Sequence, residues 1–370
     1  MVKEPKIPAI LEGKGLPNYK EITASEVNEN IPYLLKEINE KLIALEDFLE
    51  NRLTEERALC WDEVMNPLHQ IGESLRWSWG VISHLNGVCN SPELREAYTN
   101  QQPEIVRFGN KIGQSKIIYQ SLLNIKANKS NALNQIQLRI IESELLSMNH
   151  RGVALTGDKK IAFNQNSERL AELSNIFSNH VLDATKEWSL LLTSHSEVEG
   201  LPPRVLETLA AAAKDSGDKH PTNNDYPTKD KGPWRLGLDM PSYIPFITYS
   251  KNRTLREIVY KAHASRASHG ELANQEIIEE ILILRKEQAK LLGYNNWAEL
   301  SLASKMAKDI QDVENLLEEL RVAAMPVAQK ELKQLEECAK RHNAPESNEL
   351  APWDISFWSE KLRQEKFDLN

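Results

Sequence analysis

TASEVNENIPYLLKEINEKLIALEDFLE, residues 23–50, spaces Ile31, Leu34, Leu35, Ile38, Leu42, Leu45 and Leu49 at steps of three and four. That period puts them on one stripe of an α-helix, facing a core. Thr23 and Glu26 fit a capping box at its start, and Pro32 reads as a first-turn residue or a kink. Working outward, further helices are expected at about 61–88, 92–125, 132–148 and 159–188. The last of these carries Leu170, Leu173, Phe177, Val181 and Leu182 as its apolar face. The resulting fold class is mainly all-α, a string of long antiparallel helices joined by short loops.

The character changes at GDKHPTNNDYPTKDKG, residues 217–232, which is rich in Pro, Gly, Asn and Asp and has no apolar period. The expected division is a helical N-terminal lobe over 1–217, a loop or boundary over 218–233, and short strands followed by helices over 234–370. Leu236, Leu238, Ile244, Phe246 and Ile247, among β-branched and aromatic neighbours, predict a short β-hairpin near 234–249. Pro241 and Pro245 confine it to an edge or a bend. Helices resume at about 253, 275 and 310. In the last, Asp309 is the expected N-cap, Val313, Leu317, Leu320, Ala324 and Val327 form the expected buried stripe, and Pro326 predicts a kink.

The 370 residues are 41% hydrophobic and 27% charged, the composition of a globular chain large enough to bury more than one core. A net charge of −9, without a segregated basic face, argues against nucleic-acid partners. Cys60, Cys89 and Cys338 are odd in number and far apart, so reduced, partly buried thiols are expected rather than a disulfide frame or a metal cluster. The first residues, MVKEPKIPAI, show no apolar targeting core, and no apolar run reaches the length of a membrane span. Together these features give the expectation of a soluble cytoplasmic protein with no membrane partner.

Six collinear strings carry a family resemblance. They are LPNYKEIT (16–23), HLNGVCNSPELREAY (84–98), RLAELSNIFSNHVLDATKEW (169–188), LDMPSYIPFITYSKNRTLREIVYKAHASRAS (238–268), ILRKEQAKLLGYNNWAELSLASKMAK (283–308) and PWDISFWSEKLRQ (352–364). The chain resembles the thimet oligopeptidase family of zinc metallopeptidases, family M3, in its oligopeptidase A branch. That resemblance implies a helical, clam-shaped peptidase with a deep channel, acting on short peptides. It implies zinc ligands and a glutamate base in a C-terminal lobe, and that this chain corresponds to the front half only. The short strands and helices of 234–370 would lead into that missing lobe.

The pattern that carries this chemistry, His-Glu-x-x-His, places two imidazoles one helical turn apart with a general base between them. None of the nine histidines is followed by glutamate. No catalytic, cofactor-binding or metal-binding residue is therefore assigned, and no cofactor is expected in this chain although full-length relatives carry zinc. Other polar residues have ordinary readings. His84, beside Trp77 and Trp79, reads as a packed core or groove histidine, and His69 with Glu73 as a solvated helix face. His263, His269 and Glu271 read as a chance cluster around a helix end at Gly270, and Arg95 and Asp183 as capping or ion-pair residues. Trp353, Asp354, Phe357 and Trp358 either fold back on their neighbours or leave aromatic surface for a partner.

Three functions follow as expectations. One is the N-terminal portion of a zinc endopeptidase, inactive alone and completed, if split, by a separate C-terminal catalytic chain. Another is a stand-alone helical protein that binds short peptides or regulates without cutting. A third, peptidase activity through an unrecognised metal site, has no motif to support it.

Overall fold

Helix α1 (Ala24–Thr54) begins at the expected cap: Thr23 is extended, and its Oγ1 accepts a hydrogen bond from the Glu26 N–H at 3.3 Å. Only the threonine half of the capping box forms, since Glu26 Oε2 is buried without a hydrogen-bond partner. Pro32 lies inside the helix, which runs on past it and forgoes one backbone bond there. The computed structural model describes residues 7–128, 133–222 and 225–367. The first six residues and Ala132, where expectations were placed, lie outside them.

The apolar stripe is buried as its period requires, from Val27 through Ile31, Leu34, Ile38, Leu42 and Leu45 to Leu49. Against it pack α2 (Trp61–Val88), α3 (Pro92–Gly113) and α4 (Lys116–Ala127). The single helix expected over 92–125 is thus two. Ser115 ends the first by capping the second: its Oγ accepts from the Ile118 N–H at 3.3 Å and donates to Glu46 at 2.5 Å. Helix α5 (Gln135–His150) follows, capped by Asn134 and Gln137 reciprocally. One core cluster gathers Leu42, Leu49, Phe108, Ile118, Leu122 and Ile141, and another gathers Ile10, Val27, Ile31, Ile82 and Leu94.

The chain divides into two compact units. The first holds residues 1–175 and 279–310, and the second 176–278 and 311–370. Helix α6 (Gly157–Glu187) therefore contributes to both. Within the first unit, the part of α10 (Gln275–Leu291) from Glu279 onward and α11 (Trp297–Leu302) close on the helices before them. Arg169 grips Glu280 with two hydrogen bonds of 2.6 and 2.8 Å, Gln288 donates to Ser167 at 2.9 Å, and His150 Nε2 meets the Tyr294 hydroxyl at 2.8 Å.

The second unit contains a two-stranded antiparallel sheet. Strand β1 (Ser189–Leu192) pairs with β2 (Trp234–Gly237), Ser189 opposite Gly237 and Leu192 opposite Trp234. The expected β-structure near 234–249 is present in β2, but its partner comes from 189–192. Residues Met240–Tyr249 form helix α8 instead of a return strand. Asp239 caps it by accepting from the Ser242 N–H at 3.0 Å, and Pro241 sits in the first turn, where its missing N–H costs nothing. Of the two prolines that suggested an edge strand, Pro241 marks a helix start and Pro245 lies inside the helix. Helix α7 (Pro203–Asp215) covers the sheet, and Trp234, Leu236, Phe246 and Val259 are buried together beneath it.

The described residues of 218–233 lie within this second unit. Arg235 holds Asp218 through two hydrogen bonds of 2.6 and 2.7 Å, and the Trp234 indole donates to the Lys229 carbonyl at 3.2 Å. The unit is completed by α9 (Arg253–Ala264), α12 (Ile310–Arg341) and α13 (Pro352–Phe367). Among the described residues no helix is long and apolar enough to cross a membrane.

Candidate functional site

Helix α13 is anchored by charge as well as by apolar contact. Asp354 is fully buried and accepts hydrogen bonds from Arg253 Nε at 3.1 and 3.2 Å and Nη2 at 2.8 Å. It also accepts from Arg256 Nη2 at 2.9 Å and the Ala351 N–H at 3.1 Å. Burial pushes its carboxyl up, but the bonds from Arg253, Arg256 and Ala351 outweigh that and hold it below the ordinary aspartate range. Arg256 is itself buried, donates to the Ser250 and Trp353 carbonyls at 2.8 and 3.1 Å, and lies 4.2 Å above the Phe357 ring. Phe357 and Trp358 are buried with Leu335, Cys338 and Ala339. Of the two readings of the aromatic segment, folding back on its neighbours describes these rings. With its acceptors engaged by arginines, this network fixes α13 rather than performing chemistry.

The expected buried stripe of α12 behaves oppositely. Leu317, Leu320 and Val327 are 59%, 57% and 54% exposed, and the whole of 314–333 is solvent-accessible on every side. The helix also runs through Pro326 without ending. Its period is that of a packed helix, yet among the described residues nothing covers it. Such a length of helix, about 30 Å at 1.5 Å per residue, presents a large apolar surface.

The histidines singled out in the sequence are scattered. His84 is exposed on α2 rather than packed, its ring 5.6 Å from that of Tyr19, because it is turned away from the stripe that buries Ile82 and Leu85. His69 is exposed, and Glu73 bonds to Arg76 at 2.6 and 2.7 Å, a solvated face as expected. His263 stacks on Tyr243 at 3.9 Å inside the second unit, where burial keeps its imidazole more readily neutral than usual. The helix end that was expected at Gly270 comes earlier, at Ala264. His269 and Glu271 instead line a cavity of about 620 Å³ together with Glu187, Trp188 and Arg266. Arg95 bonds to Asn90 at 2.8 and 3.2 Å, an ordinary polar contact near the start of α3.

One convergence escaped the sequence reading. At the end of α12, Cys338 and His342 are one turn apart, and Glu365 of α13 meets both. Glu365 Oε1 lies 3.6 Å from Cys338 Sγ and 2.8 Å from His342 Nε2. Burial pushes the Cys338 thiol up, with the neighbouring Glu365 carboxylate adding to the effect. The signal was the spacing Cys-x-x-x-His; what hid it was the third residue, 23 positions beyond His342. The set does not fit the metal chemistry of a His-Glu-x-x-His peptidase. It has one imidazole instead of two, a thiol, and no glutamate following the histidine as base.

Two regions of the chain match known protein families. Residues 31–160 match the family described as Neurolysin/Thimet oligopeptidase, N-terminal domain, and residues 246–370 match Peptidase family M3. A probable cytosolic oligopeptidase A of Arabidopsis thaliana is 41% identical over 362 residues, covering 98% of this chain and 50% of its own length. An organellar (chloroplastic/mitochondrial) oligopeptidase A of the same plant is 40% identical, with 98% and 44% covered. Oligopeptidase A of Escherichia coli is 34% identical, with 96% and 50% covered. The chain spans about half the length of the curated relatives it matches. On these two matched regions, and on the helical fold that carries them, the chain belongs to peptidase family M3 and is similar within it to the oligopeptidases A.

Proposed function

We propose that this chain is one part of an oligopeptidase-like zinc metallopeptidase acting on short peptides, and that the 370 residues alone hydrolyse none. Activity requires residues bearing a His-Glu-x-x-His zinc site, whether continuous with this chain or on a second polypeptide. They dock on the apolar stripe of α12. The observation that supports this is the exposure of Leu317, Leu320 and Val327 in a helix whose period is that of a buried one. Burying a leucine or valine side chain fully is worth about 1.5–3 kcal/mol, so even three residues give an association energy of several kcal/mol before ordering costs.

The test is reconstitution. The chain is mixed with a polypeptide carrying the zinc-bearing half of a relative, and cleavage of a quenched fluorescent decapeptide is followed with zinc present. Cleavage appearing only in the mixture, and lost in the Leu317→Glu, Leu320→Glu double variant, is the expected result. Chelator-sensitive cleavage by the chain alone would overturn it. The double variant should leave the isolated chain's stability within about 0.5 kcal/mol, since both side chains are exposed.

A second reading, binding of short peptides without hydrolysis, draws on the cavity lined by Glu187, Arg266, His269 and Glu271, which offers charges of both signs. Titration calorimetry with a peptide library tests it. Absence of heat across the library would remove it.

A further inference from the structure

Cys338 lies in the last turn of α12 and His342 directly follows its end, with the His342 N–H donating to the Cys338 carbonyl at 3.2 Å, so the helical spacing of four residues places both on one side and offers two ligands to one ion. Helix α13 supplies a third donor from the side. The Cys338 Sγ, His342 Nε2 and Glu365 carboxylate oxygen all lie within 4.8 Å of one another. Metal–sulfur and metal–nitrogen or –oxygen bonds of about 2.0–2.3 Å at tetrahedral angles put their ligand atoms roughly 3.2–3.7 Å apart. The observed 3.6 Å from sulfur to oxygen is already in that range, and the 2.8 Å from nitrogen to oxygen needs to open by less than half an ångström.

The surroundings favour an ion as well. Beneath the thiol lies an apolar floor of Leu335, Ala339, Phe357 and Trp358, and the His342 ring rests 5.7 Å from the Trp358 ring. Above it the site is open, since the His342 and Glu365 side chains are 46% and 33% exposed, so an ion and a water can enter. Arg341 bonds the other carboxylate oxygen, Oε2, which orients Glu365 and leaves Oε1 directed at the thiol and imidazole. Among the described residues no other group of three such donors meets this spacing.

We propose that Cys338, His342 and Glu365 bind one borderline-soft divalent cation of the zinc class, which clips the last turn of α12 to α13. A mixed sulfur, nitrogen and oxygen donor set selects zinc, cobalt or similar ions over magnesium and calcium, which take oxygen alone. On binding, the thiol proton leaves to solvent and the His342 Nε2 proton moves through solvent to Nδ1, so the hydrogen bonds from Cys338 and His342 to Glu365 Oε1 give way to bonds from Sγ, Nε2 and Oε1 to the metal. Water supplies the fourth ligand. Cation binding here does not depend on the proposed peptidase reading.

Cobalt(II) titration of the full chain tests it, with a readout unrelated to peptide cleavage. One equivalent should produce a sulfur-to-cobalt charge-transfer band in the near ultraviolet and visible bands of tetrahedral intensity, both erased by one equivalent of zinc. Cys338→Ser should abolish the charge-transfer band. His342→Ala, at a largely exposed side chain that the fold tolerates losing, should weaken zinc binding at least tenfold. Arg341→Gln, touching only the outer carboxylate oxygen, should weaken it about 10–100-fold. No charge-transfer band, a band that survives Cys338→Ser, or zinc affinity unchanged in His342→Ala would each overturn the assignment. Magnesium at the same concentration is expected to leave the spectrum unchanged, and a magnesium-induced displacement of cobalt would count against the proposed donor set.

Discussion

Replacing Asp354 by alanine should unfold the second unit at markedly lower denaturant. The carboxylate is fully buried and is the close anionic partner of Arg256, whose own side chain is 1% exposed. Removing one member of a buried pair typically costs about 3–5 kcal/mol, because the remaining charge stays desolvated. Here Arg256 keeps the Ser250 and Trp353 carbonyls, and Glu346 stands 3.9 Å away, so the loss should fall near the lower end, about 3 kcal/mol. For a unit of this size that corresponds to a fall in melting temperature of about 6–12 °C. Urea unfolding followed by tryptophan fluorescence reports it, since Trp353 and Trp358 flank the network. The Arg256→Met, Asp354→Leu double variant should recover part of the loss, as apolar replacement of a buried pair often does, while Arg253, 37% exposed, turns to solvent. Because the folded-state pKa of Asp354 is depressed, its contribution is present above the unfolded aspartate value near 3.9 and is lost as pH falls below it. A D354A midpoint within about 1 kcal/mol of wild type, or a double variant worse than either single one, would refute the reasoning.

Two further outcomes follow from local geometry. At Gly200 the backbone has φ +93°, and an added Cβ would clash with the Tyr249 carbonyl oxygen, a backbone atom that cannot step aside. Gly200→Ala should therefore cost more than about 1 kcal/mol, measured by the same urea titration, and a neutral effect would argue against this chain path. His150 is held toward its neutral form by burial, so the unfolded chain binds its proton more readily. That histidine's contribution to stability is present above the unfolded value near 6.5 and is lost as pH falls through the lower folded one. His150→Gln should flatten the slope of stability between pH 7 and 5, which would be about unchanged if the ring were freely solvated.

Much of the fold was legible because period and caps agreed. Thr23 marked the start of α1 and the Ile31–Leu49 stripe its buried face, and α2 matched its expected span. Failures came where local chemistry competed with pattern. Ser115 cut one expected helix in two by capping, and Pro241, a strand breaker by composition, served as a first-turn helix residue. Strand β2 was readable but its partner was not, since a register spanning more than forty residues leaves no local trace. The stripe of α12 was read correctly as apolar and helical. Its exposure could not be read, because period reports what a helix is suited to touch and not whether that surface is present.

The division of α6 between units, with the later return of Glu279–Ile310 to the first, has a consequence for biosynthesis. The backbone passes from one unit to the other after residues 175, 278 and 310. As the nascent chain leaves the ribosome, the first unit cannot finish until its closing segment has emerged, 135 residues after position 175 (310 − 175). At about 5–20 residues per second that is a wait of roughly 7–27 s, and for most of it the Arg169 and Ser167 partners on α10 do not yet exist. Early helices must stay collapsed but unsealed through that interval, a window in which a chaperone that shields apolar surface would raise the yield of native chain.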